Sequence, residues 1–353
     1  MNARAQPDHI ASVAFTLNGK PATALEGETI LQCAQRNGID VPHLCYKEGL
    51  APDGNCRACV VEIQGEHVLA PSCCRAPAAG MQVHTNSARA EKSQRMVLEL
   101  LLADMPRERN ISRSELDDRA ARLGVQARPQ LKALARQQPQ ADVSHPAMLV
   151  NLDACIQCTR CIRACRDEQV NDVLGMAMRS AHAKVVFDMD DAMGESTCVG
   201  CGECVQACPT GALSPKLLTG ARSVSAWLQP ADKYVDSVCP FCGVGCQLTY
   251  AVKDNRIVHV EGKDGPANHG RLCIKGRFGF DYVAHPQRLT KPLIRKAGAP
   301  KTAALLDPSH WQDVFREASW EEALDLAAGK LKHIRDTHGK RALAGFGSAK
   351  GSN

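Results

Sequence analysis

The 353 residues, 44% hydrophobic and 4% aromatic, suffice for two or three domains with packed cores. The formal charge of +5 treats all eighteen cysteines as neutral, and with no basic helix or arginine run beside it, that charge argues against a nucleic-acid partner rather than for one. The opening MNARAQPDHIASVAF has no apolar core and no twin arginine, and nowhere do eighteen apolar residues run together; a secretory leader and a membrane span are therefore not expected, and the expected location is the cytoplasm.

Nearly all the cysteines fall in tight groups. Grouped thiols in a reducing compartment are metal ligands rather than disulfide partners. An oxidised core of charge +2 held by four thiolates has net charge −2, so four such sites take the formal +5 to about −3.

Residues 12–86 read as a small β-rich domain. Val13 to Leu17 runs into Asn18-Gly19-Lys20, a hairpin signal, and Thr29 to Asn37 reads as a helix stopped by Gly38, with Cys33 a buried small hydrophobe beside Ile30 and Ala34. Cys45, Cys56, Cys59 and Cys73 follow with the spacing C-x10-C-x2-C-x13-C in glycine-rich text. Glycines let backbone amides approach the sulfides of a [2Fe–2S] core. Cys74 is the rival of Cys73 for the fourth position.

Residues 87–146 form a connector. SARAEKSQRMVLELLLADM reads as an amphipathic helix with Met96, Val97, Leu100 and Leu101 as its packing face, and a polar, arginine- and glutamine-rich stretch ending in RQQPQ follows. No cysteine lies between Cys74 and Cys155, so His84 and His145 are read as surface or packing histidines.

Residues 147–222 spell one spacing twice. CIQCTRCIRAC and CVGCGECVQACP each read C-x2-C-x2-C-x3-C, offset by 43 residues from Cys155 to Cys198, and the second copy is followed by Pro209. In this pattern the fourth cysteine of each copy serves the other core. One [4Fe–4S] cluster is thus assigned to Cys155, Cys158, Cys161 and Cys208, the other to Cys198, Cys201, Cys204 and Cys165. Paired structural zinc sites are the alternative, but they share no third and fourth cysteine. Between the copies, Lys184 to Phe187 reads as a strand, and Asp188, Asp190 and Asp191 as a solvated loop, since the calcium-loop spacing is absent.

Residues 232–292 carry a fourth group, Cys239, Cys242, Cys246 and Cys273, spaced C-x2-C-x3-C-x26-C around a hairpin-like LTYAVKDNRIVHVEG. Taken alone, this group fits a structural zinc knuckle as well as a cluster. In residues 293–353, Ser319-Trp320-Glu321-Glu322 signals a capping box, Leu324, Ala327, Leu331 and Ile334 form one helix face, and Ala342 to Gly347 reads as a buried strand entering a glycine-rich loop.

The Cys45 to Cys73 spacing resembles the N-terminal β-grasp domain of the large iron–sulfur subunits of respiratory NADH dehydrogenases and NAD-dependent formate dehydrogenases. The stretch from Val238 through Pro292, ending GRLCIKGRFG, resembles the first domain of molybdenum or tungsten bis-pterin oxidoreductases. All four groups in their order resemble the α subunits of cytoplasmic NAD-dependent formate dehydrogenases over residues 12–353. Many of those relatives carry in the connector a further cluster held by one histidine and three cysteines, and this chain is expected to lack it.

The resemblance implies an α+β, multi-domain iron–sulfur protein: a β-grasp [2Fe–2S] domain, a helical connector, a double [4Fe–4S] ferredoxin-like domain, a [4Fe–4S] domain and the start of an α/β lobe. It implies one [2Fe–2S] and three [4Fe–4S] clusters, with Lys275 an electron relay between the last cluster and a pterin. Gly347, Ser348 and Gly351 would meet a molybdenum or tungsten bis-molybdopterin guanine dinucleotide. In the resembled enzymes several hundred further residues complete that site, so no catalytic residue is expected within this chain. Implied partners are a flavin- and NAD-binding diaphorase subunit and a small iron–sulfur subunit. The competing readings are an NADH dehydrogenase or NAD-linked hydrogenase subunit, and a non-catalytic electron carrier.

Overall fold

The computed structural model describes residues 12–106, 114–131, 140–216, 231–299, 301 and 308–347. The chain divides into two units, Met1–Asp232 with Leu272–Ile274, and Lys233–Arg271 with Lys275–Asn353. The glutamine-rich end of the connector at 132–139, the linker at 217–230 and the loop from Ser348 onward lie outside the described residues.

In the first unit, β1 (Ser12–Leu17) and β2 (Lys20–Leu25) are antiparallel. Asn18 and Gly19 both take positive φ, 50° and 76°, as a two-residue turn matched to strand twist requires. Strands β3 (Val60–Ile63), β4 (Ala70–Pro71) and β5 (Gln82–His84) complete a mixed sheet of order β2-β1-β5-β3-β4, with β1 and β5 parallel. Helix α1 (Ile30–Arg36) covers it. Thr29 and Gln32 close a full capping box at its start, and Ile30, Leu31, Cys33 and Ala34 bury against Phe15, Val61 and Val83.

Helix α2 (Ala88–Ala103) begins at the cap Ser87 as expected, but its buried positions are Ala90, Gln94 and Leu98. Met96 and Leu100 face solvent, while Val97 and Leu101 are partly buried. The correction has a polar cause. Gln94 donates to Val60 O at 2.9 Å and Thr85 O at 3.2 Å, and a buried amide that must satisfy two carbonyls sets the helix's rotation. Helix α3 (Glu115–Arg122), opened by a Ser114–Asp117 capping box, packs Leu116 and Ala120 with Leu98 onto Leu44 and Ala58. The connector therefore roofs the first cysteine loop.

Strands β6 (Met148–Val150) and β9 (Leu213–Pro215) pair at the base of the cysteine repeat. Helices α4 (Arg160–Arg163) and α5 (Glu203–Ala207) repeat its period. The expected strand over Lys184–Phe187 forms as β8, and it pairs in a hairpin with β7 (Leu174–Ala177), a strand not anticipated from the sequence. Asp188 accepts from the amide and hydroxyl of Thr197 and Asp190 pairs with Lys184, consistent with an ordinary acidic loop.

In the second unit, β10 (Lys233–Val238), β11 (Gln247–Lys253) and β12 (Arg256–Gly262) form an antiparallel meander. Helix α6 (Ile274–Phe278) follows, then the pair β13 (Leu293–Arg295) and β14 (Phe315–Glu317). Helix α7 (Trp320–His338) starts at Ser319, whose Oγ accepts from Glu322 N. Only half of the expected box exists, because the Glu322 carboxylate pairs with Arg316 instead.

None of the α7 residues is buried. The expected strand over 342–347 is absent; a short 3₁₀ turn, Lys340–Ala342, leads into exposed coil with Phe346 fully accessible. Among the described residues no neighbouring strand pairs with this run, and an apolar segment without ladder partners has nothing to hold it extended.

Candidate metal centres

Cys45, Cys59 and Cys73 are buried in the first loop, Cys56 is half-buried and Cys74 is exposed. The Cys45 sulfur is bonded by the Cys56 and Cys73 side chains and by the amides of Cys56 and Asn55, so negative charge collects on it. Cys59 is lowered by the Cys73 thiol and amide against the opposing effect of burial. The Cys45 amide in turn points at Cys56 Sγ, 3.4 Å away. Gly54 and Arg57, with φ of 69° and 58°, turn the loop inward; a side chain on Gly54 would meet Cys74 Sγ at 2.8 Å. Cys74 Sγ lies 3.5 Å from Cys73 Sγ, on the solvent side.

The ferredoxin-like repeat sorts its thiols by charge. Burial pushes Cys158 up to about 12, and the negative charges of Cys208 and Cys155 act in the same direction. Cys161 is raised by burial and by Cys158, Cys155, Cys208 and then Cys204, and Cys204 by burial and by Cys201, Cys198, Cys165 and then Cys208. Cys155, Cys158, Cys161 and Cys208 also line one cavity, walled by Leu152, Ile156, Val185 and Leu213. Thiols raised in this way stay protonated and inert until a cation displaces their protons.

The loops are built identically. Gln157 N and Gly200 N approach Cys155 Sγ and Cys198 Sγ, each at 3.4 Å. Positive φ occurs at Gln157 and Thr159 in the first copy and at Gly200 and Gly202, 43 residues later, in the second. Each pair sits in the two-residue spacers and turns an amide toward sulfur, a geometry glycine adopts freely and other residues at some cost.

In the second unit Cys239 is buried and its amide donates to Cys246 O at 2.8 Å, while Cys242 is half-buried in the same loop. Phe241 of this loop packs on Gly279, where a Cβ would stand 2.8 Å from its ring, and on Tyr282 edge to face. Asn268 ties the returning segment to β11 through Gln247 N and O. Cys273 is exposed and belongs to the first unit, as do its neighbours: Leu272 N donates to Glu203 at 3.1 Å, and the Ile274 side chain leaves no room for a Cβ on Gly200. Lys275, two residues on, is exposed. Gly347 is exposed with open space around it, and Ser348 and Gly351 lie outside the described residues. The described residues there form no cradle for a pterin.

His145 is buried, not superficial. Its Nδ1 accepts from Ala147 N at 3.1 Å and burial lowers its affinity for a proton. It serves packing, beside Gly200. Sequence reasoning passed over two arginines inside the first motif, Arg160 and Arg163, 2% and 4% exposed. The signal was available: CTRCIRAC places charged residues on a helix that also carries thiol ligands.

Among the described residues no three His, Cys, Asp or Glu side chains close on a single ion. What fits multi-iron cores is the donor chemistry, four thiols lining one cavity and amides directed at the sulfurs of Cys56, Cys155 and Cys198.

Residues 11–88 match the 2Fe-2S iron-sulfur cluster binding domain, 154–212 the 4Fe-4S dicluster domain, 232–285 the molybdopterin oxidoreductase Fe4S4 domain, and 288–353 molybdopterin oxidoreductase. The NADPH-Fe(3+) oxidoreductase subunit alpha of Geobacter sulfurreducens is 30% identical over 97% of this chain and 37% of its own length. An NADH-quinone oxidoreductase subunit of Rhizobium meliloti is 31% identical over 90% of this chain and 35% of its own. The chain thus spans about a third of the length of these curated relatives. A crystal structure of an NAD+-reducing [NiFe]-hydrogenase superposes with TM-score 0.54 at 27% identity, over 60% of this chain and 90% of the other. The chain thus carries a 2Fe-2S and a 4Fe-4S dicluster domain match followed by two C-terminal segments that match molybdopterin oxidoreductase domains.

Proposed function

We propose that this chain is the electron-conducting portion of the α subunit of an NAD-dependent formate dehydrogenase. Sixteen cysteines in four sets hold one [2Fe–2S] and three [4Fe–4S] clusters: Cys45, Cys56, Cys59 and Cys73; Cys155, Cys158, Cys161 and Cys208; Cys198, Cys201, Cys204 and Cys165; and Cys239, Cys242, Cys246 and Cys273. The clusters supply one-electron carriage. The protein's own residues bury them, direct amides at their sulfurs and set local charge, the levers by which a protein tunes such centres.

The observation that supports the reading is the one cavity lined by Cys155, Cys158, Cys161 and Cys208, with the Cys165 thiol acting on Cys198 and Cys201 in the other set. Burial of Cys73 and exposure of Cys74 support Cys73 as the fourth ligand of the first set. The direction of flow, from formate oxidised at a molybdenum or tungsten pterin site toward a flavin- and NAD-binding partner subunit in the cytoplasm, rests on the order of the four sets and on CIKGRFGFDYVAHPQR around Lys275.

The second reading is a subunit of an NADH dehydrogenase or NAD-linked hydrogenase, favoured by the hydrogenase superposition. Formate, NADH and hydrogen, each given anaerobically to the full complex with a redox dye, separate the two. Reduction by formate is expected, and reduction by NADH or hydrogen alone overturns formate as the donor. Iron analysis tests the shared part: about fourteen irons per chain are expected for one two-iron and three four-iron cores.

A further inference from the structure

Arg163 is buried, and each of its nitrogens is engaged. Nε donates to Thr159 Oγ1 at 3.3 Å, one terminal nitrogen to Ala51 O, and the other to Cys45 O at 2.6 Å and Cys158 O at 3.1 Å. All four acceptors are neutral. Among the described residues no carboxylate bonds to it directly, although Asp167 on the next turn feels its charge and Thr159 passes a bond on to Asp53; Arg160, one helical turn earlier, has Glu115. A guanidinium keeps its charge at any accessible pH, and a buried charge left unpaired is strongly disfavoured. Asp167 is already paired with Arg166, so further negative charge held near Cys45 and Cys158 would stabilise the buried cation.

The two cysteines belong to different candidate centres, separated by more than a hundred residues in sequence. Other bonds lock the same junction: Lys47 Nζ to Gln206 O at 2.6 Å, Thr159 Oγ1 to Asp53 at 2.6 Å, and Asn55 to Gln157 O at 3.1 Å, with Leu50 packed on Ala164 and Ala207. The first loop is thus seated on the first ferredoxin motif and on Gln206 and Ala207 of the second, the two residues that lead into Cys208.

We propose that Arg163 is the positioning residue that couples the Cys45 centre to the Cys155-Cys158-Cys161-Cys208 centre, its cation shared by the two anionic clusters and its hydrogen bonds fixing the gap between them. This rests on the electron-conduit reading and adds which two centres exchange electrons directly. The transfer is one electron from the reduced member to the oxidised member, with no bond made or broken. Because each reduced cluster is one unit more negative, a shared cation favours reduction of both. At short range in protein of effective dielectric about 20, its loss is worth on the order of a tenfold change in each reduction equilibrium, about 59 mV for one electron.

The test is a potentiometric titration of the anaerobic, cluster-loaded complex followed by paramagnetic resonance, with Arg163→Gln and Arg163→Lys beside the unsubstituted protein. Arg163→Gln is expected to lower the midpoints of the [2Fe–2S] centre and one [4Fe–4S] centre by about tenfold in equilibrium constant, and to weaken the magnetic coupling between them. The other [4Fe–4S] signals stay in place, and Arg163→Lys restores most of the shift. Full iron content with unchanged midpoints in Arg163→Gln overturns the proposal and leaves the conduit standing, as does an equal shift of every centre. If Arg163→Gln sheds iron, the comparison moves to Arg163→Lys: loss of iron there too makes the residue purely structural and overturns the coupling role. Absence of iron from the unsubstituted protein sinks the conduit reading itself.

Discussion

Arg160 and Glu115 meet in a two-pronged ion pair, 2.7 and 2.9 Å, while the same guanidinium donates to Leu44 O at 3.0 Å. One side chain from the first ferredoxin motif thereby holds the connector helix α3 and the residue before Cys45. Arg160 is 2% exposed, but the Glu115 side chain is 44% exposed, so solvent screens the pair on one side.

Removing the carboxylate leaves a buried cation with only a carbonyl. Glu115→Gln is expected to destabilise the first unit by about 1–3 kcal/mol, read by denaturant unfolding. An unchanged midpoint would show the pair to be ornamental.

The pair also carries a pH signature. Burial acts to raise Glu115, but the hydrogen bonds and charge of Arg160 outweigh it and hold the carboxyl below its usual value. A depressed carboxyl stabilises the fold fully above its unfolded value, about 4.3, and loses that contribution as pH falls through the lower folded value. The stability gap between the unsubstituted protein and Glu115→Gln is therefore expected to be flat above about pH 5 and to shrink below about pH 4, measured by unfolding across that range.

Cys73 is buried beside Cys45 and Cys59, and Cys74 faces out. Cys73→Ser is expected to abolish the two-iron resonance and lower iron by about two per chain. Cys74→Ser keeps both. The opposite result would exchange their roles.

The crossed grouping predicts paired phenotypes. Cys208→Ser should perturb the same resonance as Cys158→Ser, and Cys165→Ser the same one as Cys201→Ser. Spectra pairing Cys165 with Cys158 would break the crossing.

Gly262 abuts the backbone of Gly270, where a Cβ would stand 1.9 Å from the carbonyl oxygen. Gly262→Ala forces two backbones apart and is expected to cost about 1–3 kcal/mol and to deplete the iron held by the Cys239 set. Val170 takes φ of 56° while 81% exposed, and a β-branched residue is strained there. Val170→Gly is expected to stabilise by about 1 kcal/mol, seen as a raised unfolding midpoint.

The cysteine spacings and their order were legible in the sequence because each binding loop is local: two-residue spacers, left-handed positions at Gln157, Thr159, Gly200 and Gly202, and caps at Thr29, Ser87 and Ser319 all act within a few residues. The crossed assignment of the fourth cysteines comes from the repeat itself, which states its register twice.

What only the tertiary structure decided lies at long separation. Arg163 reaches Cys45 across 118 residues and Arg160 reaches Leu44 across 116, and no local pattern shows which buried cation will find which carbonyl. Rotation of α2 followed from Gln94 meeting Val60 and Thr85, and the run 342–347 stays extended only if a neighbouring strand bonds to it. Local geometry follows from backbone sterics between close neighbours, whereas burial and pairing depend on which distant segments the closed chain brings together.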